Sequence, residues 1–233
     1  MKPVKSLGRL LGMLLVVQIA GLIVPFVLLR PMMSDAFLAN AAGSSFQIKV
    51  AVFLLFANCA LTVAISIATF PLFREYSRAL ALLPVAVSVI MFTLQAVDNA
   101  HLMSMLSLSQ EYVRAGGPDE LFQTLAVAVR SPRRWVHYSE LLAIDAWICV
   151  LYSLLYRFRL VPRALAAFGL ITVLLHFTGI TLPLFLEYRS VTLMGVPMAV
   201  SHLALAIWLI SKGFAERHNA LRAEAQEVAP YVR

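Results

Sequence analysis

Charge is what this sequence has least of. Only 13% of its 233 residues are Asp, Glu, Lys or Arg, about half of the roughly 25% usual in soluble domains. Too little polar surface is encoded to wrap an ordinary water-soluble fold. Cysteine is scarce too. Cys59 and Cys149 lie inside apolar runs with no pairing or metal spacing, so no disulfide scaffold is built, and inert buried thiols are the simplest reading. Glycine-rich phosphate loops, a G-x-S-x-G elbow and CxxC are all missing, which removes soluble-type nucleotide, esterase and thiol-redox chemistry from the leading readings, and no HExxH, HxxxH or ExxH is present to strengthen a metal site. No internal repeat or low-complexity stretch is present, and that weakens a transporter built from duplicated halves.

What fills the chain instead is apolar: 61% hydrophobic residues and a mean hydropathy of +0.84. The net charge of +7 and pI near 9.8 would suggest nucleic acid in a soluble protein. Here the basic residues sit between apolar runs, where they read as membrane topology, and no nucleic-acid partner is expected.

Six runs qualify as membrane spans, at residues 10–29, 50–73, 79–108, 135–156, 164–186 and 190–211. The first follows Lys2, Lys5 and Arg9 like a secretory signal. Its twenty uncharged residues exceed a signal core, and Arg30 follows at once, so it is expected to be a retained helix. At about 1.5 Å per residue it crosses a hydrocarbon core of about 30 Å. Arg30–Lys49 reads as a polar connector. The third helical pattern can run to Gln110, longer than a bilayer needs, so it tilts or projects. Residues 111–134 form the long connection. Gly116-Gly117-Pro118 ends one helix, Pro118-Asp119-Glu120 starts another, and Leu121, Phe122, Leu125 and Val129 recur at helical spacing. That pattern predicts a short amphipathic helix, lying on the membrane or packed on the spans, ended by Ser131-Pro132.

Six spans with the first end inside put Lys2, Lys5, Arg9, Arg74, Arg78, Arg157, Arg159, Arg163, Lys212, Arg217, Arg222 and Arg233 in the cytoplasm, 12 of 19 basic residues. Four of the other seven lie in the long connection, so the bias among short loops is sharper still and predicts N-in and C-in. The expected architecture is all-α: a six-helix transmembrane bundle in one polytopic domain, residues 1–214, with a charged cytoplasmic tail at 215–233.

Three stretches, in this order, carry a resemblance. Leu108-Ser109-Gln110-Glu111-Tyr112-Val113, Ala115-Gly116-Gly117-Pro118-Asp119 and Phe122-Gln123-Thr124-Leu125 look like one family's exit from its third helix. Arg159-Leu160-Val161-Pro162-Arg163 with Gly169 looks like its loop before the fifth helix. Pro197-Met198, Ala206-Ile207-Trp208-Leu209-Ile210 and Lys212-Gly213-Phe214 look like its last helix. The chain thereby resembles the bacterial membrane family catalogued as domain of unknown function 4386, over roughly Leu10 to Phe214. The resemblance implies a multi-pass protein of the bacterial cytoplasmic membrane and brings no established activity or catalytic residue. Members tend to carry Arg and Glu earlier in the third helix and an acidic residue in the last. Here Val87 to Leu94 is uncharged and the last helix offers Ser201-His202.

The chemistry is concentrated in a few ionisable groups within the apolar runs, where such groups usually face protein or a wet cavity and suggest function. Asp98 and His101 are one turn apart on the third span, and His137 and Glu140 open the fourth at the same expected depth, the outer half. These four are the candidate catalytic residues and the candidate metal ligands. Asp145, His176 and His202 are candidate ligand-binding residues; Asp145 lies about 140° from Glu140 around its helix, so both acids cannot point squarely into one site. With no Lys or Arg expected in these spans, the acids must be protonated, paired with His, metal-bound or hydrated. Imidazole and carboxylate suit zinc or another transition metal; a haem held by His176 and His202 needs those rings to face each other. Met103 and Met105 are read as packing residues, and Gln18 and Asn58 as interhelical hydrogen-bond partners. Three functions stay open. One is a pocket for an amphipathic or lipid-like small molecule, with acid–base or metal-assisted chemistry if it is an enzyme; the others are a small proton- or cation-coupled transporter, and a structural or regulatory protein with no site.

Overall fold

The computed structural model describes residues 2–117, 120–186 and 192–215. Eight α-helices and one 3-10 turn account for nearly all of them, and no strand occurs among them. The helices are α1 (Lys2–Leu28), α2 (Arg30–Met33), α3 (Phe37–Asn40), α4 (Ser45–Arg74), α5 (Arg78–Arg114), α6 (Glu120–Arg157), α7 (Arg163–Leu186) and α8 (Thr192–Lys212). Six of them, α1 and α4 to α8, are long and apolar enough to cross a membrane. Glu187 to Val191 and the tail from Glu216 lie outside the described residues, as do Pro118 and Asp119 of the expected helix start.

Burial is distributed the way a bilayer demands. Thr62, Ser66, Ser88, Gln95, Asp98, Asn99, Glu140, Asp145, Thr172 and Ser201 are buried, whereas Phe26, Phe46, Phe53, Ile171, Leu174 and Leu193 are exposed. Such large apolar exposure belongs against lipid, and the interior carries the hydrogen-bonding groups.

The long helices pass through two compact units, Met1–Val17 with Ala64–Val87 and Ile144–Arg233, and Gln18–Val63 with Ser88–Ala143. In the first, α1 lies close on α8 at small residues: a Cβ on Gly8 would meet the Phe214 backbone at 2.4 Å, and one on Gly12 the Ala206 carbonyl at 2.7 Å. Gly-x-x-x-Gly spacing allows this approach. Gly169 of α7 likewise receives the ring of the buried Tyr152 from α6.

In the second unit the segment after α1 is not the polar connector expected. The two short helices α2 and α3 and the turn Ala42–Ser44 bury Met32, Phe37, Leu38 and Ala41 with Leu102, Met105 and Leu106 of α5 and Ala126 of α6. Ser109 of α5 ties the segment down, donating to the Leu38 carbonyl at 2.7 Å and accepting from the Ala42 N–H at 2.8 Å. Four-residue helices have no readable period, so the apolar residues looked scattered in a loop.

The second difference lies in α6. The segment from Glu120 is helical, as its spacing predicted, but it does not stop at Ser131-Pro132. It continues to Arg157 as one helix of 38 residues with Pro132 inside it. An interior proline removes one backbone donor and costs about 3 kcal/mol. Here the turn is held from outside: Arg130 donates to the carbonyls of Met33 and Ser34 and lies over the Phe37 ring, and Arg133 reaches Met33 Sδ at 3.3 Å.

Candidate functional site

The unbroken α6 puts Arg133, His137 and Glu140 on one helix with spacings of four and three residues, so they share one face. Facing them is Asp98 of α5, with Glu140 and Asp98 both buried. Arg133 Nε stands 3.4 Å from Asp98 Oδ1, and His137 Nδ1 stands 3.5 Å from Glu140 Oε2. Asp98, His137 and Glu140 each offer one ligand atom, all within 4.8 Å of one another. These two acids and His137 were expected at the site. Arg133 is the addition: the sequence places it in the long connection, and the expectation that no Lys or Arg neutralises the acids fails at this residue. The signal that finds it is the R-x-x-x-H-x-x-E stripe, legible only once the helix is known to continue past Pro132.

Asp98 Oδ1, Arg133 Nε and His137 Nδ1 are buried and make no hydrogen bond; their contacts are the two ion-pair distances of 3.4 and 3.5 Å, longer than the charge-assisted hydrogen bonds such groups usually form. Four tetrahedral ligands at about 2.1 Å from an ion stand about 3.4 Å from each other. The His137–Glu140 separation of 3.5 Å is already close to this value, and the Asp98 carboxylate lies within 4.8 Å of both. His137 is the exposed member, with 43% of its side chain accessible.

His101, half-buried one turn after Asp98, is not in the group the structure assembles. Beside Asp98 on α5, Gln95 donates to Asn99 at 2.9 Å and Asn99 donates to the Val52 carbonyl at 3.2 Å. Gln18 donates to Thr62 Oγ1 at 2.6 Å, as the interhelical reading of Gln18 expected, and Asn58 Oδ1 stays unpartnered.

The other three candidates fall in the first unit. Asp145 of α6 and His176 of α7 meet through Oδ1 and Nδ1 at 2.6 Å, which leaves Asp145 Oδ2 buried and unpartnered. His202 of α8 lies edge-on to Tyr152, its Nδ1 3.5 Å from the phenol oxygen. Thr172 and Ser201 hydroxyls join that second group at 2.9 Å. The two rings therefore have different nearest partners.

Fold and site together define a multi-pass α-helical membrane protein with a buried His/carboxylate group. The chain belongs to the family described as Domain of unknown function (DUF4386), whose model matches residues 10–213. No curated protein and no solved structure matches it.

Proposed function

We propose that Asp98, His137 and Glu140 form a metal centre, and that the protein uses it on an amphipathic or lipid-like molecule. The observation that carries this reading is the convergence of three mutually close donors, two of them buried carboxylates. One imidazole and two carboxylates suit a divalent transition ion such as Zn²⁺ or Mn²⁺. Three protein ligands leave a position for water, the arrangement of a catalytic rather than a closed structural site. Arg133, held against Asp98, would orient that ligand and keep a cation beside any oxyanion formed there. In the N-in orientation the sequence predicts, α5 runs outward and α6 inward, so the centre lies in the outer half of the membrane, open on the His137 side. A bacterial cytoplasmic membrane suits the family.

A second reading has one specific observation behind it. Asp98, Glu140, Arg133 and a protonated His137 sum to zero charge, so the group could instead be a proton-binding ion-pair cluster for packing or transport. Metal analysis of the purified protein separates the two. About one Zn²⁺ or Mn²⁺ per chain, lost in Asp98→Asn, His137→Gln and Glu140→Gln while each stays folded, is the expected result. No metal bound to the wild type after loading with either ion would leave the charge cluster.

A further inference from the structure

We propose that a cavity of about 340 Å³ in the first unit binds the phosphate head group of an anionic phospholipid. Lys5 of α1, Arg159 after α6 and Lys212 of α8 line it together with Trp208, Pro162 and Phe214. No acidic side chain is among the described lining residues. Three cations from three separate places in the chain meet around a space large enough for a glycerophosphate group, and a basic pocket beside membrane helices is where anionic head groups bind.

Arg159 supplies an independent observation. Two helices end in the same hydrogen-bond pattern. After α5, Gly117 N–H donates to the Tyr112 carbonyl and Gly116 N–H to that of Val113. After α6, Leu160 N–H donates to the Leu155 carbonyl and Arg159 N–H to that of Tyr156. This cap needs a left-handed residue at its turn. Gly116 takes that place with φ +90°, but in the second cap it is Arg159, with φ +51°, the one non-glycine residue at positive φ among the described residues. A side chain there carries a penalty that glycine avoids. Strain of this kind persists where the residue is wanted for something else, and this residue lines the cavity.

The frame around the cavity is tight. Ala215 N–H donates to the Leu160 carbonyl at 2.9 Å, and Gly213, at φ +71°, lies so close to Lys5 that a Cβ would stand 2.8 Å from its carbonyl oxygen. A lipid head group and a soluble phosphate present the same chemistry to these cations, and the position of the cavity beside the membrane-spanning helices α1 and α8 favours the lipid. None of these residues belongs to the group at Asp98, so the two proposals fail separately.

The test is thermal melting of the full chain in neutral detergent with phosphatidylglycerol, phosphatidylcholine or soluble glycerol 3-phosphate added. Phosphatidylglycerol alone is expected to raise Tm by several degrees, since a ligand of the native state stabilises it. Arg159→Gly should lose the phosphatidylglycerol increment, measured against the variant's own melt in phosphatidylcholine. Lys212→Gln, at an exposed position, should lose at least half of that increment without touching the backbone. Full increments in both variants, or an equal rise with phosphatidylcholine, would overturn the site. An equal rise with glycerol 3-phosphate would overturn the lipid as its source.

Discussion

Arg133 Nε stands 3.4 Å from Asp98 Oδ1, joining α6 to α5 with both side chains largely buried. Removing one partner of a buried pair strands the other charge, which costs about 3–5 kcal/mol, whereas removing both costs much less. Arg133→Met and Asp98→Asn should therefore each lower Tm sharply in metal-free buffer, and the double variant should melt above the Arg133→Met single. A coupling of about 1–3 kcal/mol is expected from the cycle. Additive losses would mean that the contact carries no energy.

The six spans were legible because a run of about twenty apolar residues is a signal of composition, independent of any neighbour. Asp98, His137 and Glu140 were legible for the same reason, as ionisable groups inside those runs. Arg133 was not. Its place depended on whether α6 survives Pro132, and the contacts that hold this turn come from Met33, Ser34 and Phe37, about a hundred residues earlier. Helix rotation was equally hidden: Asp98 and His101 share a face by spacing, yet only Asp98 enters the group with His137 and Glu140. The cap formed by α2 and α3 escaped because its burial is tertiary and its helices are a single turn long.

Two glycines give a paired test of packing. A Cβ on Gly169 would stand 2.2 Å from the Tyr152 ring, which is fully buried and has little freedom to retreat, while a Cβ on Gly43 meets nothing within 4 Å. Gly169→Ala should cost about 3 kcal/mol, the upper end for overpacking. Gly43→Ala should be neutral or stabilise by up to about 1 kcal/mol, by restricting the unfolded chain. Thermal melts of the two in one detergent decide it, and equal Tm values would contradict the close contact of α7 with α6.

Orientation is open to direct measurement. With the N-terminus inside, Ser6, which is exposed near the start of α1, faces the cytoplasm, and Phe46, exposed at the start of α4, faces outward. In a background lacking Cys59 and Cys149, a membrane-impermeant maleimide should label Phe46→Cys in intact cells and Ser6→Cys only after permeabilisation. The reverse pattern would invert the topology and move the group at Asp98 to the cytoplasmic half.

The Asp145–His176 contact makes a prediction about a proton. Asp145 Oδ1 and His176 Nδ1 stand 2.6 Å apart, and because an ionised carboxylate can only accept, it favours the tautomer of a neutral ring with the proton on Nδ1 and Nε2 as an acceptor. Nε2 faces Gly195, where an added Cβ would stand 3.4 Å from it and 3.0 Å from Cδ2. Asp145→Asn removes the charge that favours this tautomer, and the ¹⁵N shifts of His176 should move toward the Nε2–H form. Gly195→Ala pushes the ring by a few tenths of an ångström and should cost about 1 kcal/mol while leaving the tautomer unchanged. A His176 spectrum indifferent to Asp145→Asn would show that the carboxylate does not set the ring's proton, and the pair would then be a packing contact alone.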